Sequence, residues 1–261
     1  MLKFAANLSM LFKEFPLAGR FEQAAKAGFP AVEMMWPYEL AKGDLTALLK
    51  KHHLQLALFN TSGGDTAHGE WGRAALPGRE GDAQQDLQQA LEYAEAAKCP
   101  CVHVMAGVVP EGADPRPYRD TLMSNLREAA PRFADLGITL TLEALCPEVK
   151  PRYLYSSQKQ TLAIVQELGL SNVKVQFDTF HAQKADGDLS CFIQEHLPLI
   201  GHVQIAGVPD RHEPDEGEID HAYLLALLDR LGYHGCVGCE YNPRTTTLAG
   251  LGWYQKFLKN A

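Results

Sequence analysis

The sequence contains no apolar run of the roughly 20 residues that a membrane-spanning helix needs, and its amino terminus, MLKFAAN, becomes polar too early for a signal peptide. We therefore expect a cytoplasmic protein without a membrane partner, in which the six cysteines stay reduced. Basic residues are also scarce, because 24 Lys and Arg oppose 32 Asp and Glu and leave a net charge of −8. This balance disfavours nucleic acid as a partner and favours a small-molecule enzyme.

Two further absences concern domain division and cofactors. No Pro/Gly/Ser-rich linker or block of like charges divides the 261 residues, so we predict a single domain over residues 1–261. Neither the GxGxxG fingerprint of dinucleotide-binding folds nor a phosphate-binding P-loop is present. We therefore expect no nucleotide cofactor.

Short apolar segments alternate with helical patterns along the whole chain. Apolar residues spaced three and four apart, such as Leu122, Leu126 and Ala129, indicate the helices. Such alternation is typical of parallel βαβ units, and eight units in about 250 residues predict an α/β protein with a (β/α)8 TIM barrel fold. An open, doubly wound sheet is the alternative. The predicted strands are Phe4–Leu8, Ala31–Met35, Leu54–Asn60, Cys101–Ala106, Ile138–Glu143, Val173–Asp178, His202–Ile205 and Cys236–Glu240.

The last four predicted strands each carry an oxygen-bearing side chain near the carboxyl end. These residues are Glu143, Asp178, Gln204 and Glu240. Strand alternation places them on the face opposite the apolar residues, inside the barrel, at the end where barrel enzymes collect catalytic groups. Three carboxylates in one site repel each other unless a cation neutralises them, and an all-oxygen ligand set favours Mg²⁺ or Mn²⁺ over Zn²⁺. The alternative is four isolated strand-end residues that pair with loops.

Three more polar residues lie near these strand ends. His181 begins the loop after the sixth strand, where it would bind substrate, orient a metal ligand or have no role. Arg211 lies in the loop after the seventh strand, where it would bind a substrate carboxylate or form a surface ion pair with Asp210 or Glu213. His103 lies on the fourth strand, where it could face the barrel interior, but we expect a hydrogen-bonded core histidine there.

The strand-end residues, together with the DTFH sequence at 178–181, resemble those of the xylose isomerase-like barrels, and more narrowly the hydroxypyruvate isomerase family. Within that family, long segments are similar to its 2-oxo-tetronate isomerase branch, such as Val102–Pro110, Val149–Gln158 and Asp178–Lys184. The resemblance implies that Glu143 and Glu240 are proton donors and acceptors as well as metal ligands. It implies that Asp178 and Gln204 complete the metal site. Related sugar epimerases have a histidine where this chain has Gln204.

The activity implied by the resemblance is an isomerisation that moves a carbonyl between C2 and C3 of a four-carbon sugar acid, through an enediolate. The substrate would be 2-oxo-tetronate and the product 3-oxo-tetronate. A hydroxypyruvate isomerase, which forms tartronate semialdehyde, is the main alternative. Remoter alternatives are a metal-dependent, endonuclease-like phosphodiesterase and a non-catalytic binder of sugar acids. Assembly into a homo-oligomer is left open.

Overall fold

The computed structural model describes residues 2–259 and forms a closed barrel of eight parallel strands. Each strand pairs with its neighbour in the sequence, and the last strand pairs with the first. The predicted (β/α)8 barrel is therefore confirmed. The prediction of one domain over residues 1–261 stays a prediction, because residues 1, 260 and 261 lie outside the described residues. The strands are β1 (Lys3–Asn7), β2 (Ala31–Met34), β3 (Gln55–Asn60), β4 (Cys101–His103), β5 (Thr139–Glu143), β6 (Val173–Asp178), β7 (Ile200–Ile205) and β8 (Cys236–Cys239).

Helices connect the strands, and their ends follow the local sequence. Asp114 caps the longest helix by accepting a hydrogen bond from the backbone N–H of Arg116, and proline occupies the first helical position. Gly169 ends another helix in the left-handed conformation. The helices are α1 (Leu17–Lys26), α2 (Lys42–His52), α3 (Glu80–Ala97), α4 (Pro115–Ala134), α5 (Gln158–Leu168), α6 (Thr179–Ala185), α7 (Leu189–His196), α8 (His221–Arg230), α9 (Thr247–Gly250) and α10 (Gly252–Lys259).

The alternation of each strand separates two buried regions. Leu140 and Leu142 of β5 belong to the large core between the barrel and its helices. In the same way Phe177 of β6 faces outward and stacks on Phe192 of α7, with the ring centroids 5.2 Å apart. A separate small cluster of alanines from β1, β2 and β3 lies inside the barrel, apart from this core. The predicted outward position of the apolar residues is confirmed.

The loop after β3 packs over the carboxyl end of β4. Gly72 in this loop forms a bridge with Ala106 and has a φ of +100°. A Cβ atom at position 72 would lie 2.1 Å from the carbonyl oxygen of Met105, so both the conformation and the close approach require glycine. This contact fixes a long loop against the end of the barrel where the predicted site residues lie.

The structure also bears on membrane-spanning helices and on the state of the cysteines. No helix among residues 2–259 is long and apolar enough to cross a membrane. All six cysteines are free thiols. Cys236 packs against the small cluster inside the barrel, whereas Cys239 belongs to the outer core, so alternation places these two thiols on opposite faces of β8.

Candidate active site

The structure brings all six predicted site residues together at the carboxyl end of the barrel. Glu143, Asp178 and His181 each offer a ligand atom, and these atoms lie within 4.8 Å of one another. Gln204 lies beside Asp178 in the β6–β7 pairing and donates a hydrogen bond to Glu240. The acids are therefore not isolated strand-end residues. Asp178 is fully buried, and Glu143 and Glu240 are almost so.

Glu143, the last residue of β5, keeps one carboxyl oxygen free of hydrogen bonds. Its Oε2 accepts from Gln176 Nε2 at 3.2 Å, whereas the buried Oε1 has no hydrogen-bond partner. Burial raises the pKa of Glu143 well above its ordinary value, and the charges of Glu240 and Asp178 raise it further. A carboxyl group with a raised pKa and a free oxygen is suited to proton exchange with a bound substrate.

Arg211 is a largely buried cation that lies between two of the acids. Its Nη2 donates to Asp178 Oδ2 at 3.1 Å and to Glu240 Oε1 at 2.7 Å. Burial raises the pKa of Glu240 to about 8, although Arg211 acts in the opposite direction. Burial lowers the pKa of Arg211, but the charges of Glu240 and Asp178 outweigh this effect, so its net pKa is raised. The alternative of a surface ion pair with Asp210 or Glu213 is wrong, because the loop after β7 turns Arg211 inward.

His181 lies in α6 and not in the loop that the sequence predicted, and it presents a ring N–H to the cluster of acids. Its Nδ1 accepts a hydrogen bond from the backbone N–H of Cys146 at 3.1 Å, so the neutral ring carries its proton on Nε2. This Nε2 has no hydrogen-bond partner and lies 3.9 Å from Glu143 Oε1 and 3.8 Å from Asp178 Oδ2. Burial lowers the pKa of His181 to about 4, which keeps the ring neutral near pH 7. The ring is thus suited to donate a hydrogen bond to a substrate oxygen.

His103 also belongs to this site, so the expectation of a hydrogen-bonded core histidine is wrong. Neither ring nitrogen has a hydrogen-bond partner among the described residues, and Nδ1 lies 3.6 Å from Glu143 Oε2. Burial, together with the nearby His181, lowers the pKa of His103 to about 3. Four more buried polar residues, which were not among the predicted site residues, lie just below the site: Asn7, Glu33, Gln176 and His202. The only sequence signal for them is a polar residue within an otherwise apolar strand.

The donor set fits a divalent cation. Glu143 and Asp178 belong to a buried group that could hold a metal ion, and Glu143 Oε1 is buried without a hydrogen-bond partner. Gln204 Oε1 accepts one hydrogen bond, from Gln176 Nε2 at 2.7 Å, and its second lone pair remains free. One arginine cannot neutralise three neighbouring carboxylates, so the site retains affinity for positive charge.

Comparisons with known proteins agree with the barrel fold. A family model described as a xylose isomerase-like TIM barrel matches residues 21–257. The 2-oxo-tetronate isomerase of Haemophilus influenzae is 53% identical over 257 residues, which cover 98% of this chain and 100% of the relative. The hydroxypyruvate isomerase of Escherichia coli is 38% identical over 98% of this chain and 100% of its own. A solved structure described as AP endonuclease, family 2, from Brucella melitensis has a TM-score of 0.96 and 44% identity, covering 98% of this chain and 99% of that one.

Proposed function

This chain belongs to the xylose isomerase-like TIM barrel family, and we propose that it is a 2-oxo-tetronate isomerase, which moves a carbonyl between C2 and C3 of a four-carbon sugar acid. The observation that carries the proposal is the 53% identity, over the full length of the relative, to an enzyme of that name. The convergence of Glu143 and Asp178 on the neutral His181, with Glu240 joined to Asp178 through Arg211, supports it, because an enediolate reaction requires acid–base groups and stabilisation of negative charge.

We assign the cofactor as a divalent metal ion, Mg²⁺ or Mn²⁺, and expect no nucleotide cofactor. Glu143, Asp178, Gln204 and Glu240 would hold the ion, and their oxygen atoms are the ligand type that these two metals prefer. When bound, the ion supplies stabilisation of the negative charge that develops on the substrate oxygens.

Glu143 and Glu240 exchange the substrate's protons in this proposal. One glutamate removes the proton from C3, and the same or the other glutamate delivers a proton to C2. The hydroxyl proton of C3 moves to the oxygen of C2, so the product is an isomer and no redox cofactor takes part. The raised pKa values of both residues suit this exchange, because a carboxyl group with a raised pKa can both accept and release a proton near neutral pH.

His181 and Arg211 would bind and orient the substrate. The Nε2–H of His181 donates to the oxygen that gains negative charge as the enediolate forms. Arg211 uses Nη2 for Asp178 and Glu240, and its buried Nε has no hydrogen-bond partner. That donor remains available for a carboxylate group of the sugar acid.

The test is isomerisation in D₂O, followed by proton NMR. The purified protein is incubated with 2-oxo-tetronate or with hydroxypyruvate, in the presence of Mg²⁺, Mn²⁺ or EDTA. We expect product from the four-carbon acid and loss of turnover in EDTA. Glu143→Gln and Glu240→Gln should each lower kcat by about 10²–10⁴-fold, the usual contribution of a general acid or base. Asp86→Asn is the matched control, since Asp86 is buried outside the site.

Two other activities have specific support. Hydroxypyruvate isomerase is favoured by the full-length relative from Escherichia coli, and faster turnover of the three-carbon acid would move the assignment there. The description of the Brucella melitensis structure favours a metal-dependent endonuclease, which cleavage of a DNA duplex with an abasic site would reveal. The net charge of −8 opposes it.

Turnover of neither acid, with sugar-acid binding retained, would indicate a non-catalytic binder. We further expect a cytoplasmic enzyme that binds neither nucleic acid nor membranes. Whether it forms a homo-oligomer is a question for light scattering.

A further inference from the structure

The barrel interior is polar in the layer directly beneath the proposed site. TIM barrels usually fill this region with branched apolar side chains. Here the inward residues include an acid, a histidine and several uncharged polar groups, all of which are at most 2% exposed. The proposed mechanism uses none of them. They are Asn7, Glu33, Thr141, Gln176 and His202.

Glu33 is the acceptor on which this layer converges. Its Oε1 accepts from Asn7 Nδ2 at 3.0 Å and from Gln204 Nε2 at 2.8 Å. Its Oε2 lies 2.7 Å from His202 Nε2. Both oxygens of a fully buried carboxylate are therefore engaged, which is the condition for burying a charge at acceptable cost.

The same two amides also hold Glu240. Asn7 Nδ2 donates to Glu240 Oε2 at 3.2 Å, and Gln204 Nε2 donates to the same oxygen. Each NH₂ group is thus shared between Glu33 below and Glu240 above. A side-chain amide has a donor NH₂ end and an acceptor oxygen end. The two acids therefore fix the orientation of both amides, with the NH₂ end toward the acids.

The orientation of Gln204 propagates across the site. Because its NH₂ group faces the two acids, its Oε1 faces Gln176 Nε2, 2.7 Å away. Gln176 Nε2 also donates to Glu143 Oε2 at 3.2 Å, and Gln176 Oε1 accepts from Thr141 Oγ1 at 2.9 Å. A continuous series of hydrogen bonds, in which donation runs outward from Gln176 to both ends, therefore links Glu240 to Glu143.

Gly238 provides the space that Glu33 occupies. A Cβ atom at position 238 would lie 2.2 Å from Glu33 Oε2, which is far inside van der Waals contact. Gly238 precedes Glu240 by two residues and so shares its face of β8. Without a side chain at this position, the carboxylate of Glu33 fits under Glu240.

We propose that Glu33, held by His202, is a positioning residue that fixes the amides of Asn7 and Gln204, and through them Glu240 and the carbonyl oxygen of Gln204. The inference rests on the proposed function in that Gln204 and Glu240 are taken as the working ligands. Its essential element is the acceptor oxygen of Glu33, which a glutamine at this position would retain and a methionine would not.

Mn²⁺ binding without substrate, measured by electron paramagnetic resonance, tests the proposal. Removing a group that orients metal ligands typically lowers metal affinity or activity by about 10–100-fold, and we expect that loss for Glu33→Met. Glu33→Gln should stay near the wild type. Gly238→Ala keeps every polar atom but displaces the carboxylate of Glu33, so it should lower the Mn²⁺ affinity as Glu33→Met does. Under saturating Mn²⁺, kcat should fall in the two damaged variants while KM for the sugar acid stays nearly constant.

The controls are Asp86→Leu, which removes a buried carboxylate outside the barrel interior, and Gly43→Ala, where an added Cβ meets no atom within 4 Å. Both should bind Mn²⁺ like the wild type. Unchanged Mn²⁺ affinity in folded Glu33→Met and Gly238→Ala would overturn the inference. Equal damage in Glu33→Gln, or a wild type without Mn²⁺ affinity, would also overturn it. If Glu33→Met does not fold, Gly238→Ala decides the question. A wild type that binds Mn²⁺ but turns over neither acid would refute the proposed function alone.

Discussion

Replacing Arg211 with methionine would remove the only cation that contacts both Asp178 and Glu240 among the described residues. The guanidinium Nη2 lies 3.1 Å from Asp178 Oδ2 and 2.7 Å from Glu240 Oε1. The Arg211 side chain is 15% exposed, and Asp178 is fully buried. Methionine preserves an unbranched apolar stem in contact with Phe180, over which the guanidinium now lies, but it supplies no charge.

The expected loss in the free energy of unfolding is about 3–5 kcal/mol in the absence of metal, the usual effect of removing one partner from a buried ion pair. Protonation of Glu240 limits this loss. The pKa of Glu240 is about 8 even with Arg211 present, and without the arginine it rises further. The loss should therefore be larger at pH 8 than at pH 5, where Glu240 carries a proton in both variants.

A divalent cation should replace part of the missing charge. At a free Mn²⁺ concentration about 100-fold above its Kd, binding to the folded state alone adds about 2.7 kcal/mol. Because Arg211 repels a cation at this site, its removal should strengthen Mn²⁺ binding. The difference in stability between variant and wild type should therefore narrow when Mn²⁺ replaces EDTA.

Urea unfolding followed by circular dichroism measures these quantities. Arg73→Met is the control, because Arg73 pairs with Asp86 at 2.6 Å outside the site. It should lose stability by an amount that Mn²⁺ does not change. The reasoning is refuted if Arg211→Met loses less than about 1 kcal/mol, which is the value of an exposed pair, or if Mn²⁺ fails to narrow the difference.

Two further outcomes follow from the buried groups. In EDTA, the protein should lose stability as the pH rises from about 4.5 to about 8, because the pKa of Glu240 is about 8 in the folded protein and about 4.3 in the unfolded chain. Thermal unfolding midpoints measured against pH check this prediction. Saturating Mn²⁺ should make the midpoint depend less on pH. Phe177→Ala should cost about 3–5 kcal/mol in urea unfolding, because Phe177 is fully buried and stacks on Phe192. The control for Phe177→Ala is Leu248→Ala, at a side chain that is 53% exposed, which should change stability by less than about 0.5 kcal/mol.

The strand-end residues could be predicted because two simple rules determine their positions. Alternation along β5 and β6 separates the outward Leu142 and Phe177 from the inward Glu143 and Asp178. Parallel strands in a closed barrel then bring their carboxyl ends to one rim. Neither rule requires knowledge of which side chains are in contact. The sequence alone is therefore sufficient to predict that these side chains lie together at one end of the barrel.

The partners of Arg211 could not be predicted, because no periodic rule applies to the loop after β7. Arg211 adopts a φ of +57°, a region that non-glycine residues seldom occupy, and this turn directs the side chain inward. Its backbone carbonyl accepts a hydrogen bond from Asn242, which anchors the loop to the segment after β8. The sequence neighbours Asp210 and Glu213 were therefore the wrong partners, since the contacts depend on the path of the loop.

The contacts around Glu33 could be predicted in part from the sequence. Alternation places Glu33 and His202 inside the barrel, but they are 169 residues apart in sequence, and only the register around the barrel brings them together. The space for their contact depends on Gly238, which has no side chain to reveal its role. A lone acid at an inward position of an apolar strand is nevertheless informative, because a buried charge without partners costs several kcal/mol. Such an acid implies a set of donors, and here two of those donors are the amides that hold Glu240.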